Sequence, residues 1–246
     1  DGYFGDLWTA TETLNKTAHG LLSSVDYFNP IGPAYSWGYG LILPFDAAPS
    51  VATILHASAL AAAVIVALSL LILRQHMSLL GLSIIVLSVV GVAVSGRGNG
   101  EILHEMPMHY LAPYNRWGWA LFIPIAVRLS LPQRHDKDWD LVGDVALGIA
   151  IALLLMLKIT YGAAALGLVV ARILIVPGAW RQVAPIVAGC AAVLLAAELI
   201  AGQTSAYLAD LAAVAALPES GLRIEKLFGQ LGEAALFSFV ALIVYL

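Results

Sequence analysis

The stretch that decides the fold runs from Val51 to Leu73 and reads VATILHASALAAAVIVALSLLIL. It contains no Asp, Glu, Lys or Arg, and small or apolar side chains follow one another without a polar face. A helix of this length rises about 34 Å at 1.5 Å per residue, which matches the ~30 Å hydrocarbon core of a bilayer. The stretch therefore predicts a membrane-spanning α-helix.

The composition of the whole chain agrees with this prediction. Of the 246 residues, 61% are hydrophobic and only 11% are charged, whereas soluble domains average roughly 45–50% and 25%. So little charge cannot coat a soluble surface, and we expect an integral membrane protein. The net charge of −4 and the scattered basic residues argue against a nucleic-acid partner, and the single cysteine, Cys190, excludes a disulfide scaffold.

Further apolar segments predict further spans. They cover residues 77–96, 117–131, 141–157, 159–176, 183–202 and 234–246. A single helix over 141–176 would measure roughly 54 Å, too long for a bilayer, so we expect two short helices that turn at 158–162. The predicted fold is all-α: a polytopic membrane bundle of about seven spans, with interfacial helices in long outer loops.

The loops differ from one side of this bundle to the other. Short loops carrying Arg74, Arg134 and Arg181 are typical of the cytoplasmic side, and the longer outer segments are rich in Trp, Tyr, Pro and Gly. We expect an outer loop over 1–50 with an interfacial amphipathic helix, then a transmembrane bundle over 51–246 with outer segments 97–116 and 203–233. Since the chain starts at Asp1 and ends inside an apolar run, we expect a fragment of a longer multi-pass protein of a bacterial inner membrane.

Asp26 stands in the run VDYFNPIGP of the first outer segment. Pro30 and Pro33 each disfavour helix in the residue before them, which predicts a rigid turn that presents Asp26 among aromatic rings. A carboxylate in partly apolar surroundings can serve as a general base towards a hydroxyl acceptor. The competing interpretation is that Asp26 only caps the turn.

The run from Asp26 to Pro33 resembles the Asp-aromatic-aromatic-x-Pro-x-x-Pro pattern in the first external loop of GT-C glycosyltransferases. Enzymes of that family span the membrane many times and use sugars linked to polyprenyl phosphate. The resemblance implies an inverting glycosyl transfer at the non-cytoplasmic face, with Asp26 as the base on the acceptor. It implies a lipid-linked sugar donor and lipids as partners. We predict no cofactor, and a divalent metal or copper stays open as an alternative.

The second outer segment contains the other candidate site residues. In the glycosyl-transfer interpretation, Glu101 and Glu105 orient the acceptor. Cationic side chains then contact the lipid phosphate, a role that suits the planar guanidinium of arginine. The cations in question are Arg97, Arg116 and Lys158.

Two further interpretations of the second outer segment remain open. Soft thioethers with imidazoles suit Cu(I), and the segment offers His104, Met106, Met108 and His109. Pro107 disturbs a regular helical ligand set, and a loop simply packed on the membrane would account for the same residues. A non-enzymatic accessory subunit, with long loops contacting other membrane subunits, is the competing functional class.

Ionisable residues inside predicted spans are functional candidates because charge is costly in the bilayer. We expect Asp144 and Arg172 to lie near the cytoplasmic surface and to face lipid headgroups. For His56 we expect a hydrogen bond in the protein core. Residues after Gly202 predict a second interfacial helix with an apolar stripe.

Overall fold

The computed structural model describes residues 3–29, 31–46, 48–94, 113–131 and 140–216, which form nine α-helices and no β-strand. The helices are α1 (Tyr3–Ala18), α2 (Pro33–Ile42), α3 (Val51–Leu73), α4 (Leu79–Val94), α5 (Pro113–Ser130), α6 (Leu141–Leu157), α7 (Ile159–Ile175), α8 (Val183–Ala201) and α9 (Gln203–Ala216). The all-α class predicted from the sequence is confirmed.

The predicted apolar segments within the described residues are all helical. The bounds of α3 and α6 agree with the predicted 51–73 and 141–157, and α4, α7 and α8 differ by a few residues at their ends. α5 begins earlier than predicted, at Pro113, because proline fits the first turn of a helix, where no backbone N–H is needed. The predicted segment 234–246 lies outside the described residues.

α6 and α7 are separate helices of 17 residues each that meet at Lys158. This residue is extended, with φ −162° and ψ 117°, so it ends one helix and precedes the next. A Cβ on Gly162 would overlap the side chain of Leu155, which shows that the two helices fold back on each other. The predicted pair of short helices is confirmed, with a turn of one residue instead of the predicted 158–162.

The six helices from α3 to α8 run alternately between two ends of the bundle. We call the end where α6 meets α7 the Lys158 end, and the end where α5 stops and α6 begins the Asp144 end. α3, α4 and α5 pack on one another, and α3 and α5 also contact α6. The most extensive contact joins α6 and α8, where Gly148 and Gly189 let the two backbones approach closely.

Three shorter helices cover the Lys158 end. α2 lies against α3 and α6 and buries Tyr35 and Tyr39. α1 packs on α2 and is amphipathic, since Leu14 is buried and Asn15 is exposed. α9 turns back from α8 at Gly202, which has the positive φ of 63° that glycine tolerates.

Among the described residues, two helical stretches are long and apolar enough to cross a membrane: Ala52–Leu73 and Ala179–Ala201. Only 39% and 22% of their most apolar windows are buried inside the protein. The core helix of a soluble protein would be covered on most sides. Large apolar side chains are also exposed on α4 and α7, among them Leu79, Leu87 and Leu174. These surfaces favour contact with lipid.

We predict that Gly148→Ala destabilises the bundle, because the new Cβ would overlap the backbone carbonyl oxygen of Ile186. Overpacking of this kind costs about 1–3 kcal/mol. Gly167→Ala is the matched control, since nothing lies within 4 Å of a Cβ at that helical glycine, and the alanine should stabilise α7 by up to about 1 kcal/mol. Unfolding by denaturing detergent in mixed micelles measures both. Equal stability of the two variants would contradict the close α6–α8 crossing.

Candidate functional site at the Lys158 end

Lys158 lies half-buried among polar and aromatic side chains from two other helical turns. Its Nζ donates a hydrogen bond to Oδ1 of Asn115 at 3.0 Å, and it lies 5.4 Å from the ring centre of Tyr114 and 5.7 Å from that of Tyr161. We call these four residues the Lys158 cluster. The single-residue turn positions the lysine here, and the first turn of α5 supplies two of its neighbours.

The backbone around Lys158 has its own electrostatic character. The lysine follows the last turn of α6, where a cation is favoured by the partial negative charge of the helix C-terminus. The first turn of α7 begins at the next residue, and its N–H groups carry the opposite partial charge. The two helix termini at Lys158 therefore act on an anion at the ammonium group with opposite signs, and the ammonium group itself is the attractive feature.

A buried pair of tyrosines adjoins this cluster. The hydroxyls of Tyr35 and Tyr39 are joined by a hydrogen bond of 2.6 Å, and the ring of Tyr35 packs 5.5 Å from that of Tyr114. Burial raises the pKa of Tyr39 to about 12, so its hydroxyl stays a neutral donor at physiological pH. Arg116, half-buried in the first turn of α5, acts electrostatically on both tyrosines.

The segment with the GT-C-like pattern packs directly beside Lys158. Gly32 has φ +118°, and a Cβ there would overlap the backbone carbonyl oxygen of Met156 in the last turn of α6. Only glycine meets both conditions, because other residues are strained at this φ and would collide with α6. The pattern and the lysine, more than 120 residues apart in sequence, therefore meet at one end of the bundle.

Asp26 is exposed, and its Oδ2 accepts a hydrogen bond of 2.6 Å from the backbone N–H of Leu22. This is the capping contact that the sequence leaves open as one of two interpretations. The role of Asp26 as a general base stays a prediction.

The turn that carries Asp26 is held in place by hydrogen bonds of Asn29. The side-chain amide of Asn29 donates to Oγ of Ser23 at 2.7 Å, and its carbonyl accepts from the backbone N–H of Ile31. The backbone N–H of Asn29 donates to Asp210 of α9 at 3.0 Å. Neighbouring hydrogen bonds from Trp37 to Gln203 and from Gln203 to the Ser23 carbonyl hold α9 against the same turn.

Most of the second outer segment lies outside the described residues. The candidates concerned are Arg97, Glu101, His104, Glu105, Met106, Met108 and His109. The phosphate-binding, acceptor-binding and copper-binding roles given to them stay predictions. Within the described part of the chain, no group of three or more His, Cys, Asp or Glu residues could hold a metal ion.

At the Asp144 end, the expectation that Asp144 and Arg172 face headgroups is wrong. Both are buried inside the protein, at 2% and 5% exposure. Asp144 accepts a hydrogen bond of 3.0 Å from Nη2 of Arg128, which is equally buried. Arg172 donates to the carbonyl oxygens of Leu129 and Leu131 at the end of α5. Burial is tolerated because Arg128 and Asp144 neutralise each other and Arg172 caps the end of α5.

His56 also differs from expectation, since it is exposed and lies outside the core. It stands on the outward face of α3, and its Nδ1 forms a hydrogen bond of 3.1 Å with Oδ1 of Asp46. Hydrogen bonds from Thr53 and His56 hold the pKa of Asp46 below its usual range. His56 does form a hydrogen bond, but outside the core. Its partner Asp46 lies in the α2–α3 linker, and the spacing of residues along α3 gives no indication of it.

Sequence reasoning missed several members of the site. Tyr35 and Tyr39 are four residues apart and share a face of α2, a spacing that could have predicted their contact. Asn115 and Tyr114 could not be predicted as members of the site, because nothing in the sequence relates them to Lys158.

Comparison of the chain with models of protein families, with curated proteins and with solved structures gives no match.

We predict that Asp144→Leu costs about 3–5 kcal/mol of stability, because it leaves the Arg128 guanidinium buried without its carboxylate. The double variant Arg128→Met/Asp144→Leu should regain most of that loss, since it removes the guanidinium and its carboxylate together. Detergent-induced unfolding in mixed micelles measures both. A single variant as stable as the wild type would show that the ion pair is not buried.

Proposed function

We propose that the protein is a multi-pass membrane enzyme that transfers a sugar from a polyprenyl-phosphate donor to a hydroxyl acceptor at the non-cytoplasmic face. The observation that carries the proposal is the contact of Gly32 with the last turn of α6, beside Lys158. That contact supports the proposal because it brings Gly32, at the C-terminal end of the pattern that begins with Asp26, against the residues that precede Lys158.

The direction of the helices supports the proposed orientation. α3 to α8 alternate between the two ends, and the exposed cations Arg74 and Arg181 belong to loops at the Asp144 end. Short loops rich in Lys and Arg lie preferentially in the cytoplasm. On this argument the Lys158 end, with α1, α2 and α9, faces the other side of the membrane.

The proposed reaction is a displacement at the anomeric carbon of the donor sugar. Asp26 takes the proton of the acceptor hydroxyl, and the acceptor oxygen forms the new bond from the face opposite the phosphate. The bond between the anomeric carbon and the phosphate oxygen breaks, and the phosphate leaves with the electron pair. Lys158 and Arg116 offset the negative charge that grows on the leaving phosphate.

The surroundings of Lys158 suit this role. The ammonium group is only half-buried, so a phosphate at the surface can reach it. Its hydrogen bond to the side-chain carbonyl of Asn115 directs the ammonium group. Partial burial also strengthens the attraction of a phosphate, because a lower local dielectric screens it less.

The experiment uses the full-length protein in proteoliposomes with undecaprenyl phosphate carrying a radiolabelled hexose, in the presence of a membrane extract as the source of acceptors. The wild type should move label from the lipid to the acceptor fraction. Asp26→Asn should lower the rate by about 10²–10⁴-fold, the usual contribution of a general base. Lys158→Met should lower it by about 10–100-fold, since it removes a charge-assisted contact.

Arg74→Met is the control, because this exposed arginine lies at the opposite end of the bundle. Its rate should equal that of the wild type. If the wild type moves no label from any of the common hexose donors, the enzymatic proposal fails and the accessory-subunit alternative gains. Full activity of Asp26→Asn would assign the base to another residue.

A further inference from the structure

We propose that the acceptor is a neutral, hydroxyl-rich carbohydrate and that it binds in a cavity between α1 and the start of α3. The cavity has a volume of about 430 Å³, within the range of ~300–1,000 Å³ that is usual for small-molecule sites. This inference rests on the proposed function for the role of the occupant as the acceptor. It adds the place where the acceptor binds and the chemistry that selects it.

Three polar side chains line the cavity near the surface. α1 contributes Glu12 and Asn15, and Ser50 stands immediately before α3. All three are exposed, so a ligand can enter from the surface. Because a sugar hydroxyl is both a donor and an acceptor, it needs both kinds of partner, and a carboxylate, an amide and a hydroxyl together provide them.

Apolar side chains form another part of the lining, contributed by Leu14, Pro49 and Ile54. Leu14 is only 3% exposed and belongs to the hydrophobic core, and Ile54 packs against that core. Small-molecule sites usually combine an apolar lining with a few polar groups that orient the ligand. A pyranose ring matches this combination, because its C–H groups form an apolar face and its hydroxyls project from the edge of the ring.

The charges beside the cavity favour a neutral occupant. The carboxylate of Glu12 lies 2.7 Å from Nζ of Lys16, so the pair is neutral overall. An anionic ligand would be repelled by the carboxylate, and a cationic ligand would have to compete with Lys16 for it. A sugar hydroxyl avoids both costs, because it can donate a hydrogen bond to a carboxylate oxygen while the ion pair stays intact.

The same ion pair connects the cavity to the turn that carries Asp26. Nζ of Lys16 lies 4.3 Å from the ring centre of Tyr27, the residue that follows Asp26. Glu12 and Lys16 are four residues apart and share one face of α1. The cavity and the turn therefore adjoin the same face of α1, and an acceptor in the cavity can direct a hydroxyl towards the exposed Asp26.

Saturation-transfer difference NMR tests the inference with the full-length protein in phosphatidylcholine nanodiscs, which contain no sugar-based detergent. The probes are the methyl glycosides of glucose, mannose and galactose, and at least one should bind the wild type. Asn15→Leu should weaken its binding by about 2–10-fold, the usual effect of one lost hydrogen bond. Ile54→Phe should weaken it at least 10-fold, because the larger side chain would occupy the cavity. Size-exclusion chromatography checks that each variant is folded.

Two variants outside the cavity are matched controls. Leu55→Phe enlarges the next side chain of α3, which is 63% exposed, and Gln75→Leu removes an exposed amide at the Asp144 end. Both should bind the glycosides like the wild type. Equal losses from the controls and the cavity variants, or no binding of any of the three glycosides, would overturn the inference. Binding of choline or methyl phosphate as tight as that of the best glycoside would also overturn it, because a charge would then select the ligand.

A lipid competitor identifies the source of the carbohydrate. The diacylglycerol glycoside that carries the same sugar as the best probe is added to the nanodisc. Displacement of the methyl glycoside would show that the cavity accepts the headgroup of a glycolipid. Unchanged binding of the methyl glycoside would show that the acceptor is a soluble glycan.

The cavity and the proposed function can fail separately. Glycoside binding with the expected response to the variants, together with absence of sugar transfer, would support the cavity and refute the proposed function. Sugar transfer that is insensitive to Ile54→Phe in both its rate and its KM for the acceptor would refute the cavity and leave the proposed function standing.

Discussion

One extended residue, Lys158, sets the architecture of the apolar half of this protein. It stops α6 after 17 residues and starts α7 at once, so an apolar run too long for one bilayer crossing becomes two antiparallel helices. The same residue carries a charge that cannot be left in an apolar environment without solvent or polar partners. The turn therefore has to lie where Asn115 and the surrounding tyrosines reach it, at an end of the bundle.

At the Asp144 end, the charged side chains are stabilised by partners inside the protein. Arg128 and Asp144 neutralise each other inside the protein, and Arg172 donates to carbonyl groups that the end of α5 leaves without helical partners. Lys158 is 14 residues after Asp144, a distance of about 21 Å along the axis of α6. In the described parts of α5 to α8, the charged side chains therefore lie at two levels with an apolar belt between them, an arrangement that suits a bilayer.

Much of the fold could be predicted from the sequence because apolar run length is a direct physical signal. The bounds of α3 and the separation of α6 from α7 follow from it, since bilayer thickness limits how long a helix can be. The partners of individual polar side chains do not follow. Asp144 was expected to face headgroups because its position near a span end says nothing of the arginine 16 residues away that neutralises it.

In the candidate site, too, local structure could be predicted from the sequence and tertiary contacts could not. The Pro-flanked pattern predicts a turn around Asp26, and the structure has a hydrogen-bonded turn there. The contact between this segment and α6 could not be predicted, because it depends on how α2 packs against the whole bundle and so brings Gly32 to the end of α6. Tyr35 and Tyr39 illustrate the limit, since their shared helix face is visible in the sequence but their burial beside Tyr114 is a tertiary fact.

We propose that the Lys158 end lies on the non-cytoplasmic side of a membrane and the Asp144 end on the cytoplasmic side. Site-directed labelling tests it most directly, in a Cys190→Ala background with Thr160→Cys at one end and Gln75→Cys at the other, both exposed positions. Intact cells treated with a membrane-impermeant maleimide should label the cysteine at position 160 and leave the one at 75 unlabelled until the membrane is permeabilised. Labelling of both cysteines from the same side, or of position 75 alone in intact cells, would contradict the account.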